Sequence, residues 1–100
     1  MKYNKLVRDN IPEYIVSKGG KPIIHVADDA EYWQKLKEKL SEEVQEFQKD
    51  ENMEELADLL EVLDAIVDFK QFNKEEVNKI REKKAEERGK FKKKIILEES

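Results

Sequence analysis

The chain has 100 residues, of which 38% are apolar and 44% charged. Its net charge of −4 comes from acids and bases mixed along the sequence, so neither a basic nucleic-acid footprint nor an acidic disordered tail is present. The absence of cysteine excludes disulfides and thiolate metal sites, and no apolar run reaches the roughly 18 residues of a membrane span.

Three Gly and two Pro leave few turns, which favours long helices in a single domain over residues 1–100 with one modest core. The opening Met1, Lys2 and Tyr3 lack the apolar stretch of a signal peptide, and a soluble cytoplasmic protein is expected. Asn10, Ile11, Pro12 and Glu13 read as a helix start, with Asn10 as cap and Pro12 in the first turn. That short helix should reach about Lys18, where Gly19 and Gly20 stop it. Residues 21–26 read as a strand, β-branched and bounded by Gly and Asp.

Asp28 or Asp29 is placed to cap a helix from about Ala30 to Lys49. Trp33, Leu36, Leu40, Val44 and Phe47 share one of its faces. The next helix, about Met53 to Phe69, is apolar around more than half its circumference, which marks it as central. Asn73 caps a last helix, with Glu76 as its capping-box partner and Gly89 as its stop. That helix is highly charged, with Val77, Ile80 and Ala85 as its few apolar positions. Residues 91–97 read as a closing strand. The expected architecture is a mainly α antiparallel bundle of about four helices. A two-stranded ribbon from residues near 22–26 and 92–97 would lie beside it and need a helix to pack on.

The informative pattern is acidic. The first long helix carries Glu42, Glu43 and Glu46, and the second carries Glu55, Asp58 and Glu61. Taking the hairpin midpoint between Asp50 and Glu51, Glu46 and Glu55 lie at equal distances from it, as do Glu43 and Asp58. Equidistant positions in an antiparallel hairpin lie side by side, and at about 1.5 Å per residue the two levels differ by roughly 4.5 Å. Glu43/Glu46 and Glu55/Asp58 are i,i+3 pairs, each facing one direction. Four carboxylates meeting in one small volume repel one another, and a divalent cation removes that cost. Hard oxygen ligands suit Mg²⁺ or Mn²⁺. The plainer alternative is a solvated acidic face, common in a chain with 24 acids. Against it, Glu55 projects within the apolar arc of its helix and Glu43 borders an apolar stripe.

These motifs, with residues 54–62 (Glu-Glu-Leu-Ala-Asp-Leu-Leu-Glu-Val), resemble the all-α nucleoside triphosphate pyrophosphohydrolases, the MazG-like and phosphoribosyl-ATP pyrophosphohydrolase-like proteins. Residues 3–12 (Tyr-Asn-Lys-Leu-Val-Arg-Asp-Asn-Ile-Pro) and 87–91 (Glu-Arg-Gly-Lys-Phe) are similar to a small branch of that group. The resemblance implies hydrolysis between the α- and β-phosphates of a nucleotide, releasing a monophosphate and pyrophosphate. It implies that Glu43, Glu46, Glu55 and Asp58 hold Mg²⁺, which neutralises phosphate charge and acidifies a bound water. Glu42 or Glu61 would orient or deprotonate that water. Only eight residues separate Glu46 from Glu55, fewer than is usual in the wider group. The group is typically oligomeric, so a homodimer or larger assembly is expected, with the site near a subunit interface.

Phosphate also needs donors, and Lys5, Arg8 and Arg88 are the candidates for substrate binding; each is equally readable as a solubilising surface charge. Lys92, Lys93 and Lys94 read as a solvated strand edge. Trp33, with Tyr32 beside it, is placed to stack on a base, but its apolar face favours a core role. His25, a lone histidine, reads as structural. No Gly-rich phosphate loop, nucleophilic serine or zinc spacing is present. Two rivals accompany the nucleotide pyrophosphohydrolase reading. One is the phosphoribosyl-ATP pyrophosphohydrolase of histidine synthesis. The other is a non-catalytic helical interaction module, which metal dependence would exclude.

Overall fold

The computed structural model describes residues 4–100, and the Tyr3 of the opening motif lies outside them. Four helices are present among these residues: α1 (Ile11–Ser17), α2 (Asp29–Asp50), α3 (Met53–Phe69) and α4 (Lys74–Arg88). Each start has a chemical cause. Pro12 pre-sets the first turn of α1, although the Asn10 side chain makes no capping bond. Asp28 caps α2 by accepting the Glu31 amide at 2.8 Å. Asn52 caps α3 by accepting the Glu55 amide at 2.9 Å, and Asn73 caps α4 by accepting the Glu76 amide at 3.1 Å.

Each stop is as local. At the end of α1 the Gly20 amide donates to the Ile15 carbonyl at 2.9 Å and the Gly19 amide to that of Val16 at 3.0 Å. This is a Schellman closure around the left-handed Gly19. The end of α3 repeats the pattern without glycine: Phe72 donates to Val67 at 3.0 Å and Gln71 to Asp68 at 3.1 Å, with Gln71 at φ 57°. Between α2 and α3, Glu51 takes left-handed geometry (φ 51°, ψ 41°) and Asn52 immediately caps the next helix, so these two residues make the whole connection.

The tight turn lays α2 and α3 against each other, and theirs is the one extensive helix–helix interface among the described residues. Leu36 and Val62, at 1% and 8% exposure, are the buried apolar residues of that seam. Farther from the turn, Phe69 stacks on Trp33 (centroids 5.5 Å apart, planes 9° apart) and meets Tyr32 edge-on at 5.3 Å. Lys37 and Lys70 lie over the Trp33 ring at 5.5 and 5.0 Å. Trp33 thus joins the two helices at the open end of the hairpin.

The expected ribbon over residues 22–26 and 92–97 does not form; no strand is present among the described residues. Pro22 lacks an amide donor, and Lys94 takes φ 57°, which breaks the second run. Neither segment has a helix face beneath it: Ile23 is 100% exposed and Ile96 83%. A two-stranded ribbon without such packing does not persist in water. The chain is correspondingly extended, with a radius of gyration of 17.9 Å against about 13 Å for a compact domain of this length. No described helix is long and apolar enough to cross a membrane.

Candidate metal centre

The turn between α2 and α3 brings the acidic ladders face to face. Oxygens of Glu43, Glu55 and Asp58 lie within 4.8 Å of one another, and so do oxygens of Glu46, Asp50 and Glu55. The four expected ligands are therefore gathered, but as two overlapping triads that share Glu55 rather than as one square. Glu43 is the innermost, at 7% exposure. Glu55 and Asp58 are half-buried, and Glu46 and Asp50 are exposed.

The electrostatics follow from this placement. Partial burial, and then the carboxylates of Glu46, Asp50, Asp58 and Glu43, push the Glu55 carboxyl above its ordinary range. Glu55 also sits in the first turn of α3, where the helix dipole favours negative charge. Asp50, the last residue of α2, lies at the opposite pole, where the dipole opposes it.

Cations of the chain itself approach the cluster. Lys39 lies 3.3 Å from Glu43 and 3.5 Å from Glu42. The N-terminal segment crosses both helices of the hairpin: Lys5 reaches Glu42 on α2 at 3.6 Å, and Arg8 donates to Asp58 on α3 at 2.7 Å. Two expected phosphate donors thus stand at the acids. Arg88, at the end of α4, has no hydrogen bond or ion pair with the cluster among the described residues, and Glu61 has none with any described residue. Glu42 and Glu61 both lie outside the triads. His25 meets Glu31 through Nε2 at 3.0 Å, a local contact away from the acids.

Comparison with known proteins adds little. No family model matches the chain. No solved structure matches it. An uncharacterized protein of Mycolicibacterium smegmatis (strain ATCC 700084 / mc(2)155) is 52% identical over 42 residues. The match covers 42% of this chain and 43% of that relative, and it assigns no activity.

Two participants escaped the sequence reading. Asp50 was placed in the turn, yet it follows Glu46 by four residues on the same helix face, a spacing that pairs side chains. Lys39 precedes Glu43 by the same four residues, and that spacing was the available signal.

Mg²⁺ with oxygens at about 2.0–2.1 Å spans at most roughly 4.2 Å between opposite ligands. The Glu43–Glu55–Asp58 oxygens, all within 4.8 Å of one another, lie on that scale, so carboxylates from two helices can face one ion. The donor set fits a hard divalent ion.

Proposed function

We propose that the protein is a Mg²⁺-dependent nucleotide pyrophosphohydrolase of the MazG-like kind, cleaving between the α- and β-phosphates of a nucleoside triphosphate or related nucleotide, with Mn²⁺ able to replace Mg²⁺. The observation that carries the reading is the convergence of Glu43, Glu55 and Asp58 from two facing helices, with Glu46 and Asp50 as a second triad on the same Glu55. The order of the sequence motifs, from the opening segment through the acidic hairpin to Glu87–Phe91, supports the same assignment.

A divalent ion bound there supplies charge neutralisation of the phosphates and a more acidic water. Asp58 would help hold such an ion, and Arg8, now donating to Asp58 at 2.7 Å, would then be placed to donate to a phosphate oxygen. Glu61, one turn beyond Asp58 on α3 and without an ion pair among the described residues, takes the water's proton. Glu42 is occupied by Lys5 and Lys39. A nucleotide panel assayed for pyrophosphate tests this. Release of pyrophosphate that requires Mg²⁺ and is lost in Glu55→Gln and Glu61→Gln is expected. No release from any nucleotide, with no rise in melting temperature in millimolar Mg²⁺, would favour the interaction module.

The partner is a second copy of this chain. The accessible surface is 9632 Å², whereas a compact protein of 11.9 kDa exposes about 6,000 Å². The excess, roughly 3,600 Å² per chain, is more than the roughly 1,000–2,500 Å² per partner that obligate interfaces bury, so a dimer contact covers part of it. Leu56, Leu60 and Leu63 are 41, 54 and 41% exposed and recur at i, i+4 and i+7 along α3, beside the acidic ladder. An isologous contact between two such faces buries them and sets the site at the interface. Sedimentation should give a dimer that Leu60→Glu dissociates; a monomeric wild-type protein at micromolar concentration would contradict it.

A further inference from the structure

A cavity of about 300 Å³ opens between the N-terminal segment and α2, lined chiefly by Asn4, Lys5, Lys35, Lys39, Glu38 and Glu42. We propose that this cavity is a diphosphate-binding site, with the ammonium groups of Lys5, Lys35 and Lys39 as its donors and Glu42 as the group the anion displaces. Its position deepens the pyrophosphohydrolase reading and for its role rests on it: the cavity adjoins the metal centre through Lys39, which reaches Glu43 at 3.3 Å, and it would seat the departing pyrophosphate.

The geometry around Glu42 carries the argument. Lys5 and Lys39 approach the same oxygen, Oε1 of Glu42, at 3.6 and 3.5 Å. One oxyanion atom thus lies in ion-pair range of two ammonium groups that come from different segments of the chain. That is the arrangement a bridging or terminal phosphate oxygen requires. The Glu42 side chain is 36% exposed and free to rotate outward. Lys35 pairs with Glu38, whose side chain is 54% exposed, at 3.3 Å, and is likewise open to exchange for a stronger anion.

Charge and size select the ligand. Lys5, Lys35 and Lys39 are paired with Glu42, Glu38 and Glu43, so an anion must carry several negative charges to compete with carboxylates already in place. The cavity volume lies at the low end of the roughly 300–1,000 Å³ of ligand pockets, which suits a diphosphate rather than a whole nucleotide. Lysine ammonium groups act as compact point charges and impose no bidentate geometry, in keeping with a product that must leave.

Titration calorimetry with inorganic pyrophosphate, in EDTA and low salt, tests the site without any metal or turnover. The full chain should bind pyrophosphate, and orthophosphate at least tenfold more weakly. Lys35→Met and Lys39→Met should each weaken pyrophosphate binding by roughly tenfold, the effect of losing one charged hydrogen bond. Glu42→Gln should tighten it, because the competing carboxylate is gone. Lys35 touches no buried acid, so Lys35→Met keeps the test valid if Lys39→Met unfolds. Absent binding, equal affinity for orthophosphate, indifference to Lys35→Met, or weaker binding by Glu42→Gln would overturn the proposal. Pyrophosphate binding without hydrolysis of any nucleotide would sink the enzyme reading and leave this site standing. Hydrolysis without pyrophosphate binding would do the reverse.

Discussion

Arg8 and a divalent ion compete for the same carboxylate, and Arg8→Met separates them. The substitution removes the 2.7 Å bond to Asp58 but keeps an aliphatic stem of similar length over the surface. The Arg8 and Asp58 side chains are 55% and 45% exposed, so screening by water reduces the pair to about 0.5 kcal/mol. For a domain of this size that corresponds to a fall of roughly 2–4 °C in melting temperature, measured in EDTA. In saturating Mg²⁺ the deficit should close. The guanidinium no longer holds Asp58, and the same 0.5 kcal/mol appears as an apparent Mg²⁺ affinity about twofold tighter. Differential scanning fluorimetry across a Mg²⁺ titration reads both effects in one experiment. Lower apo stability together with tighter Mg²⁺ binding is expected. A variant that binds Mg²⁺ more weakly than wild type would show that Arg8 supports the centre rather than competing for it, and the exchange argument would fail.

Three other consequences follow from the same geometry. Leu36→Ala should cost about 3 kcal/mol in urea unfolding, because Leu36 is 1% exposed in a seam with little else to fill the gap; a loss under about 1 kcal/mol would mean the seam is not centred there. Gln71→Gly should gain about 0.5–1 kcal/mol, since residue 71 holds the left-handed position that closes α3 and only glycine takes it without strain; a loss of stability would show that the glutamine side chain has a role. The Glu55 carboxyl is held above its ordinary range, so its native form takes up a proton at higher pH than the unfolded chain. Metal-free stability should therefore rise as pH falls from neutral through the raised native value, and gain nothing further below the ordinary one. Glu55→Gln should lack this component, and parallel pH profiles of the two proteins would refute it.

Much of the hairpin was legible because its causes are local. Asp28 and Asn73 each accept an amide three residues on, so the starts of α2 and α4 were readable to within a residue; Asn52 caps α3 in the same way, a cap the sequence reading did not name. The level-matching of Glu43 with Asp58 and Glu46 with Glu55 needed only a tight turn, and Glu51 and Asn52 provide one. The ribbon was misread because β-branched runs report propensity and not pairing. Ile23, Val26 and Ile95–Leu97 have no packed surface to pair over, and nothing local reveals that. The same blindness applies to α4, whose caps predict a helix but not whether it packs within this chain. Side-chain cations were harder still. That Arg8 lands on Asp58, fifty residues away, depends on how the N-terminal segment crosses α3, which no spacing rule describes.

The central claim is that two facing helices hold a divalent ion through a shared Glu55. Mn²⁺ titration followed by the electron paramagnetic resonance signal of the free ion measures this directly. Wild-type protein should remove Mn²⁺ from solution and release it to excess Mg²⁺. Glu55→Gln, which breaks both triads at once, should leave the signal of the free ion intact, while the neighbouring Glu54→Gln should behave as wild type. Equal Mn²⁺ uptake by wild type and Glu55→Gln, or none by either, would contradict the account.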